Sequence, residues 1–330
     1  MNPTKKDFSL VDFLIQNALI IILILLAALA TWKNPNFLSA NNIKNVGINI
    51  GPRFLIALGV SGCLITRGTD LSAGRMVGLG ACIAGTLLQN ASYSQKFFPD
   101  LGDMNIFLVL LMAVVICGFM GMLNGLVISR LKVPPFISSL GFQTIVYGAC
   151  LVYTGAVPLG GYRKDYTDLA TRNYFGIPLF VIIAAVVGGL MWFLYNKTRH
   201  GKYMYAIGGN ENAAEVSGVN VSHSLVKIYT LAACLYAFAG FLIGAKAGGA
   251  NVNTGFGYEL EAIASCTIGG VSTTGGIGRV SGILIGVMVF EMLKSSLQFL
   301  GVDTSYQYIV QGLVIITAVA LDLRKYLAKR

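Results

Sequence analysis

The chain has 330 residues, 55% of them hydrophobic and 12% charged, with a formal net charge of +10. Soluble domains carry roughly a quarter charged residues, so a soluble fold is excluded. No basic stretch interleaved with aromatics points to nucleic acid, and the composition is that of an integral membrane protein.

Ten apolar segments reach or approach the length of about 20 residues that a bilayer-crossing helix needs. They cover 13–31, 48–66, 71–89, 106–129, 136–154, 178–196, 225–247, 259–274, 277–299 and 306–323. Lys5 and Lys6 precede the first, which is too long for a signal-peptide core and lacks a small-residue cleavage site, so it reads as a span. The expected architecture is all-α: a polytopic helical bundle of about ten spans, some short or broken, forming one transmembrane domain over 1–330. An even number of spans puts both termini on one side. With that side cytoplasmic, the inner loops collect Lys5, Lys6, Arg67, Arg75, Arg130, Lys132, Lys197, Arg199, Lys202, Lys227 and Arg279, while Asp100, Asp103, Asp165, Asp168 and Asp303 fall outside. Lys33, Lys44 and Arg53 stand against the rule. The net positive charge is therefore a topology signal.

The stretch "TRGTDLSAGR", Thr66 to Arg75, interrupts an apolar run. Arg67 can close one helix, Gly68 can take a left-handed cap position, and Asp70 can accept backbone N–H bonds at the start of the next. This reads as a tight cytoplasmic turn; a deeper break in a discontinuous helix lining a cavity is the alternative. A similar pattern returns in "CTIGGVSTTGGIGRVSGILIG", Cys266 to Gly286, set against "CLITRGTDLSAGRMVGLGACIAG", Cys63 to Gly85. The pair implies a two-half internal repeat, a feature of many transporters. Most of the 40 glycines, Gly118–Gly121–Gly125 and Gly278–Gly282–Gly286 among them, read as sites of close helix packing. The six cysteines lie inside apolar segments without CxxC spacing and read as small core residues.

Catalytic chemistry is sparse. GxSxG, HExxH and the phosphate loop GxxxxGK[ST] are absent from the sequence. His200 and His223 have no ligand set around them, so no catalytic residue, metal or bound cofactor is expected. Glu259 and Glu261 fall at an outer boundary, and Glu291 stands three residues before Lys294, a spacing that allows pairing along one helix. The longest inner segment, 197–224, carries a short amphipathic helix that starts at Asn210, with acids at Glu211 and Glu215 and with Gly208, Gly209 and Gly218 as bounding caps. It is either a solvated connector or a docking helix for a cytoplasmic partner, with Ala214 on the face that would pack in the partner's groove.

Five linked motifs then carry a resemblance: "GTDLSAG" (68–74), "LNGLVISRLKVPPFISSLG" (123–141), "AIGGNENAAEVSGVNV" (206–221), "YELEAIASCTIGGVSTTGGIG" (258–278) and "YIVQGLVIITAVALD" (308–322). Over nearly its whole length the chain resembles the permease subunits of bacterial sugar ABC importers, the group handling ribose, xylose, arabinose and galactose. "GTDLSAGR" is most similar to the galactose/methyl-galactoside branch. The resemblance implies a homodimer in the inner membrane, a separate cytoplasmic ATPase with two nucleotide-binding halves that uses the ATP, and a periplasmic sugar-binding protein. It implies that Gly208, Gly209, Asn210, Glu211, Ala214, Glu215, Ser217 and Gly218 couple permease to ATPase. Arg67 departs from the uncharged residue expected before that motif. A polar path could use Asp70, Ser72, Asn124, Ser138, Ser139, Gln143 and Thr144; each could equally be packing glue between helices. The other reading of the residues is an ion-coupled secondary transporter.

Overall fold

The computed structural model describes residues 18–327. The start of the first predicted span and the basic residues Lys5, Lys6, Lys329 and Arg330 lie outside them. Thirteen α-helices run in the order α1 (Ala18–Lys33), α2 (Ala40–Ile65), α3 (Ala73–Leu87), α4 (Ile106–Arg130), α5 (Pro135–Thr154), α6 (Lys164–Thr171), α7 (Leu179–Lys197), α8 (Arg199–Gly209), α9 (Glu211–Val216), α10 (Val221–Ala247), α11 (Tyr258–Ile268), α12 (Val280–Phe299) and α13 (Thr304–Leu327). A 3-10 turn (Pro35–Leu38) joins α1 to α2, and a two-residue ribbon, β1 (Asn173–Tyr174) against β2 (Ile177–Pro178), precedes α7. Six helices, α2, α4, α5, α7, α10 and α12, are long and apolar enough to cross a membrane.

Local chemistry sets the helix ends. Ser39, Asn105 and Asn220 accept backbone N–H bonds at the starts of α2, α4 and α10. Pro135 opens α5 where its missing N–H costs nothing, and left-handed Gly155 ends it.

Burial separates centre from rim. The apolar windows of α2 and α10 are 78% and 72% buried, whereas those of α4, α5 and α7 are 28% buried. The rim helices keep apolar side chains such as Leu111, Ile145 and Leu190 on the outside, as a lipid-facing surface requires. α10 packs against α2, α3 and α4 together. Small residues allow this approach: a Cβ on Gly240 would stand 2.1 Å from the Val77 carbonyl oxygen of α3, and one on Gly121 would stand 2.5 Å from the Tyr229 carbonyl. The packing role read for the glycine series is present in Gly118, Gly121, Gly125, Gly282 and Gly286. Five cysteines are buried, Cys234 is half-buried, and all six are free.

Three features of the helix layout depart most from expectation. α2 begins at Ala40, eight residues before the predicted span, because the sequence there is rich in asparagine and a hydropathy criterion passes over it. The predicted span 259–274 is instead the 11-residue α11 followed by irregular chain. Such a helix is about 16 Å long, too short to cross a hydrocarbon core of about 30 Å. Finally, α2 and α3 do not form a close hairpin, since α10 lies against both.

Candidate coupling junction and polar sites

The first break begins where α2 ends. The Gly68 N–H reaches the Cys63 carbonyl and the Arg67 N–H reaches the Leu64 carbonyl, both at 2.9 Å. This is a Schellman cap. Its left-handed position is held by Arg67 (φ +62°), which corrects the expectation that Gly68 would take it. Gly68 is required for space, because a Cβ there would stand 2.4 Å from the Tyr229 hydroxyl. The second break repeats the geometry at the same register: Val271 N–H to Cys266 carbonyl, Gly270 N–H to Thr267 carbonyl, with Gly270 at φ +82°.

The left-handed backbone of Arg67 goes with its side chain's role. Its Nε donates to the Gly208 carbonyl at 2.8 Å and its Nη2 to the Gly209 carbonyl. These carbonyls end α8, where the last turn has no intrahelical donors and the helix dipole favours a cation. Gly208 and Gly209 are therefore the last residues of α8, correcting their expected role as caps of the next helix. The second break closes over the same point. The Gly276 N–H donates to the Ile65 carbonyl at 2.8 Å, and the Tyr205 hydroxyl donates to the Gly278 carbonyl at 2.8 Å. Asp322 near the end of α13 accepts from both the N–H and the hydroxyl of Thr273. A Cβ on Gly208 would stand 1.7 Å from the Ile65 oxygen. Four motifs distant in sequence thus meet in one tightly packed junction.

α9 projects from this junction. Asn210 caps it by accepting the Ala213 N–H at 3.0 Å, and left-handed Gly218 closes it with a third Schellman pair, Val219 N–H to Ala214 carbonyl. Ala214 is buried within the chain, which corrects its expected place on a partner-facing side. It anchors α9 to the body. The outward face instead carries Glu211, Asn212, Glu215, Ser217 and Val216, the last 91% exposed.

The residues predicted for a polar path come together in part. Asp70 accepts from the Ser72 N–H (3.0 Å) and hydroxyl (2.6 Å) at the start of α3. Ser139 of α5 donates to the Thr69 carbonyl, and Ser138 donates to Asn124 Oδ1 at 2.7 Å. Asp70, Ser72, Asn124, Ser138 and Ser139 are all buried, and these bonds tie the first break to α3, α4 and α5. Gln143 is half-buried and Thr144 is exposed, its hydroxyl bonded back to the Leu140 carbonyl. None of the seven lines the polar cavity between α2 and α12.

That cavity lies at the far end of α2, about 39 Å along the helix from the junction. It has a volume of about 820 Å³ and is open at one end. Its floor is an ion network in which Lys294 Nζ stands 2.7 Å from Glu261 Oε1, and Arg53 Nε stands 3.3 Å from Glu261 Oε2 and 2.8 Å from Glu291 Oε1. The expected pairing of Glu291 with Lys294 along α12 is replaced by these interhelical pairs. Arg53, an exception to the charge-sidedness rule, is explained by its two carboxylate partners. Sequence reasoning missed the cavity, although six asparagines between positions 34 and 49 signalled it.

The comparisons with known proteins agree with this architecture. A family model described as branched-chain amino acid transport system / permease component matches residues 42–319, and the chain belongs to that family of transport permeases. It is 43% identical to the galactose/methyl galactoside import permease protein of Haemophilus influenzae, with 100% of each chain covered. The protein of the same description from Escherichia coli is also 43% identical, over 99% of this chain and 98% of the relative. A ribose import permease protein of Bacillus subtilis is 37% identical, over 92% and 91%. No solved structure matches the chain.

Proposed function

We propose that this chain is the membrane-spanning permease of an ATP-driven monosaccharide importer, and that its sugar is galactose or a methyl galactoside. The observation that carries this reading is the 43% identity, end to end, to permeases of that description, above the 37% to a ribose permease. The permease works as a homodimer in the bacterial inner membrane, with both termini and the α8–α9 end in the cytoplasm. Arg130, Lys132, Lys197, Arg199 and Lys202 at the ends of α4, α7 and α8 support that orientation.

A separate ATPase with two nucleotide-binding halves docks on the outer face of α9, around Glu211, Glu215 and Val216. Its movement reaches the bundle through Arg67 and the Gly208–Gly209 carbonyls, which join α8 to α2. A ligand can shift an equilibrium between outward-open and inward-open states only through contacts that differ between them, and a rigid junction delivers such contacts to the membrane helices. A periplasmic sugar-binding protein delivers its load at the opposite end. Of its glutamates, the ion-coupled reading keeps only buried Glu259, because Glu261 and Glu291 are engaged by Arg53 and Lys294.

The test is uptake by the reconstituted complex of permease, ATPase and binding protein, with competing sugars. Galactose uptake that requires ATP and is displaced by methyl galactoside is expected. Uptake by this chain alone, driven by an ion gradient, would overturn the reading.

A further inference from the structure

The cavity at the far end of α2 is built from one chain and is mostly polar. One wall is the asparagine face of α2, where Asn41, Asn42, Asn45 and Asn49 recur at helical spacing. The opposite wall is the end of α12, with Ser295 and Gln298. The floor is Arg53, Lys246, Lys294 and Glu291. Some of these groups already have partners: Asn49 Oδ1 accepts from Lys246, and Asn42 Nδ2 donates to the Phe37 carbonyl at 2.7 Å. Asn41, Asn45 and Gln298 are exposed to the open space.

The floor is internally paired: Glu291, 3% exposed, holds its Oε1 2.8 Å from Arg53 Nε, and Glu261 bridges Arg53 and Lys294. The groups left to meet a solute are therefore the amides of the walls.

We infer that this cavity is a monosaccharide-binding station within each permease protomer, at the mouth where sugar enters. The inference rests on the sugar-importer reading above. A side-chain amide offers both a donor and an acceptor, and so does each sugar hydroxyl. Rows of amides at helical spacing therefore match a polyol and give little to an apolar solute. Three cations facing two carboxylates disfavour a metal cation, and the pairing of Arg53 and Lys294 with those carboxylates leaves little free charge for an anion. Phe299 at the rim, edge-on to Phe37 at 5.5 Å, adds an apolar surface for the C–H face of the ring. A cavity of about 820 Å³ is far larger than one sugar and stays wet. Ordered water between ligand and protein makes such a site weak, and a station on a transport route must release what it holds.

The experiment uses the assembled permease–ATPase complex in lipid nanodiscs, without binding protein. A cysteine is placed at Asn45→Cys or, in a second variant on the opposite wall, at Gln298→Cys, and its reaction with a membrane-impermeant maleimide is timed. Background labelling is low because five native cysteines are buried and Cys234 is half-buried. Galactose at up to about 100 mM should slow labelling about fivefold at both positions, as saturable weak binding does. Glycine betaine at equal osmolality should not, and Asp100→Cys in the exposed loop between α3 and α4 should be indifferent to sugar. Protection by ribose but not galactose supports the station and overturns the galactoside assignment. Protection by no monosaccharide overturns the station, while ATP-dependent galactose uptake by the wild-type complex would leave the importer reading standing. Protection by inorganic phosphate alone overturns it in favour of an anion site. Failure of both cysteines to react overturns it too, since protein then covers the mouth.

Discussion

The two ends of α2 are built on opposite plans. At Ile65 the two breaks are bonded to each other and, through the Arg67 side chain, to the end of α8, and Gly208 has no room for a methyl group. At Asn41 the polar groups face open space, above a floor of paired charges. A dense end moves as one body and passes displacement on; a roomy polar end accommodates a solute and lets it go. One helix of 26 residues, with Pro52 inside it near the cavity, joins them.

The contrast can be broken most severely from below the cavity. Glu261→Ala leaves Arg53 and Lys294 without their shared carboxylate; because all three are part-buried and Arg53 keeps Glu291, the cost lies near the lower end of the about 3–5 kcal/mol for a buried pair. The thermal unfolding midpoint of the purified permease should fall sharply; an unchanged midpoint would mean that the network is not structural. Gly208→Ala forces a Cβ towards the Ile65 oxygen, an overpacking cost of about 1–3 kcal/mol. Uptake should be lost along with thermal stability, and normal uptake would show that the junction yields easily.

Arg67 sharpens the comparison because its backbone and its side chain can be separated. Arg67→Ala loses two charged hydrogen bonds, about 1–3 kcal/mol, and keeps a side chain in the left-handed region. Arg67→Gly loses the same bonds but relieves about 1 kcal/mol of that strain. Both should uncouple ATP hydrolysis from uptake, with the glycine variant the more thermally stable; equal stability would remove the strain argument. The smallest effect on stability is expected from Val216→Asp, within about 0.5 kcal/mol because the side chain is exposed. Copurification of the ATPase should nevertheless drop, and full copurification would move the docking face elsewhere.

How much of this was legible beforehand varies with position. The rim helices α4, α5 and α7 match their predicted spans within about a residue at each end, because lipid exposure demands a continuous apolar run. The cap residues Asn210 and Gly218 were legible for a local reason: their side-chain and backbone conformations decide helix ends within a few residues. Ala214 was misplaced because a six-residue helix has too few positions for periodicity to say which face is inward.

The sequence alone determined the class of protein, since composition and segment length answer to the bilayer, a solvent that reads residues one at a time. It also located the two breaks, since glycine and charge punctuate a chain locally. Only the tertiary structure decided what those breaks do. Arg67 and Gly208 are 141 positions apart, and nothing in either neighbourhood specifies the other. The asparagines of α2 lowered the hydropathy of their segment, and whether they faced lipid, solvent or a cavity depended on where α12 and its charges came to lie. A hydrogen bond between distant elements is a property of their packing, and packing is settled by the whole chain at once.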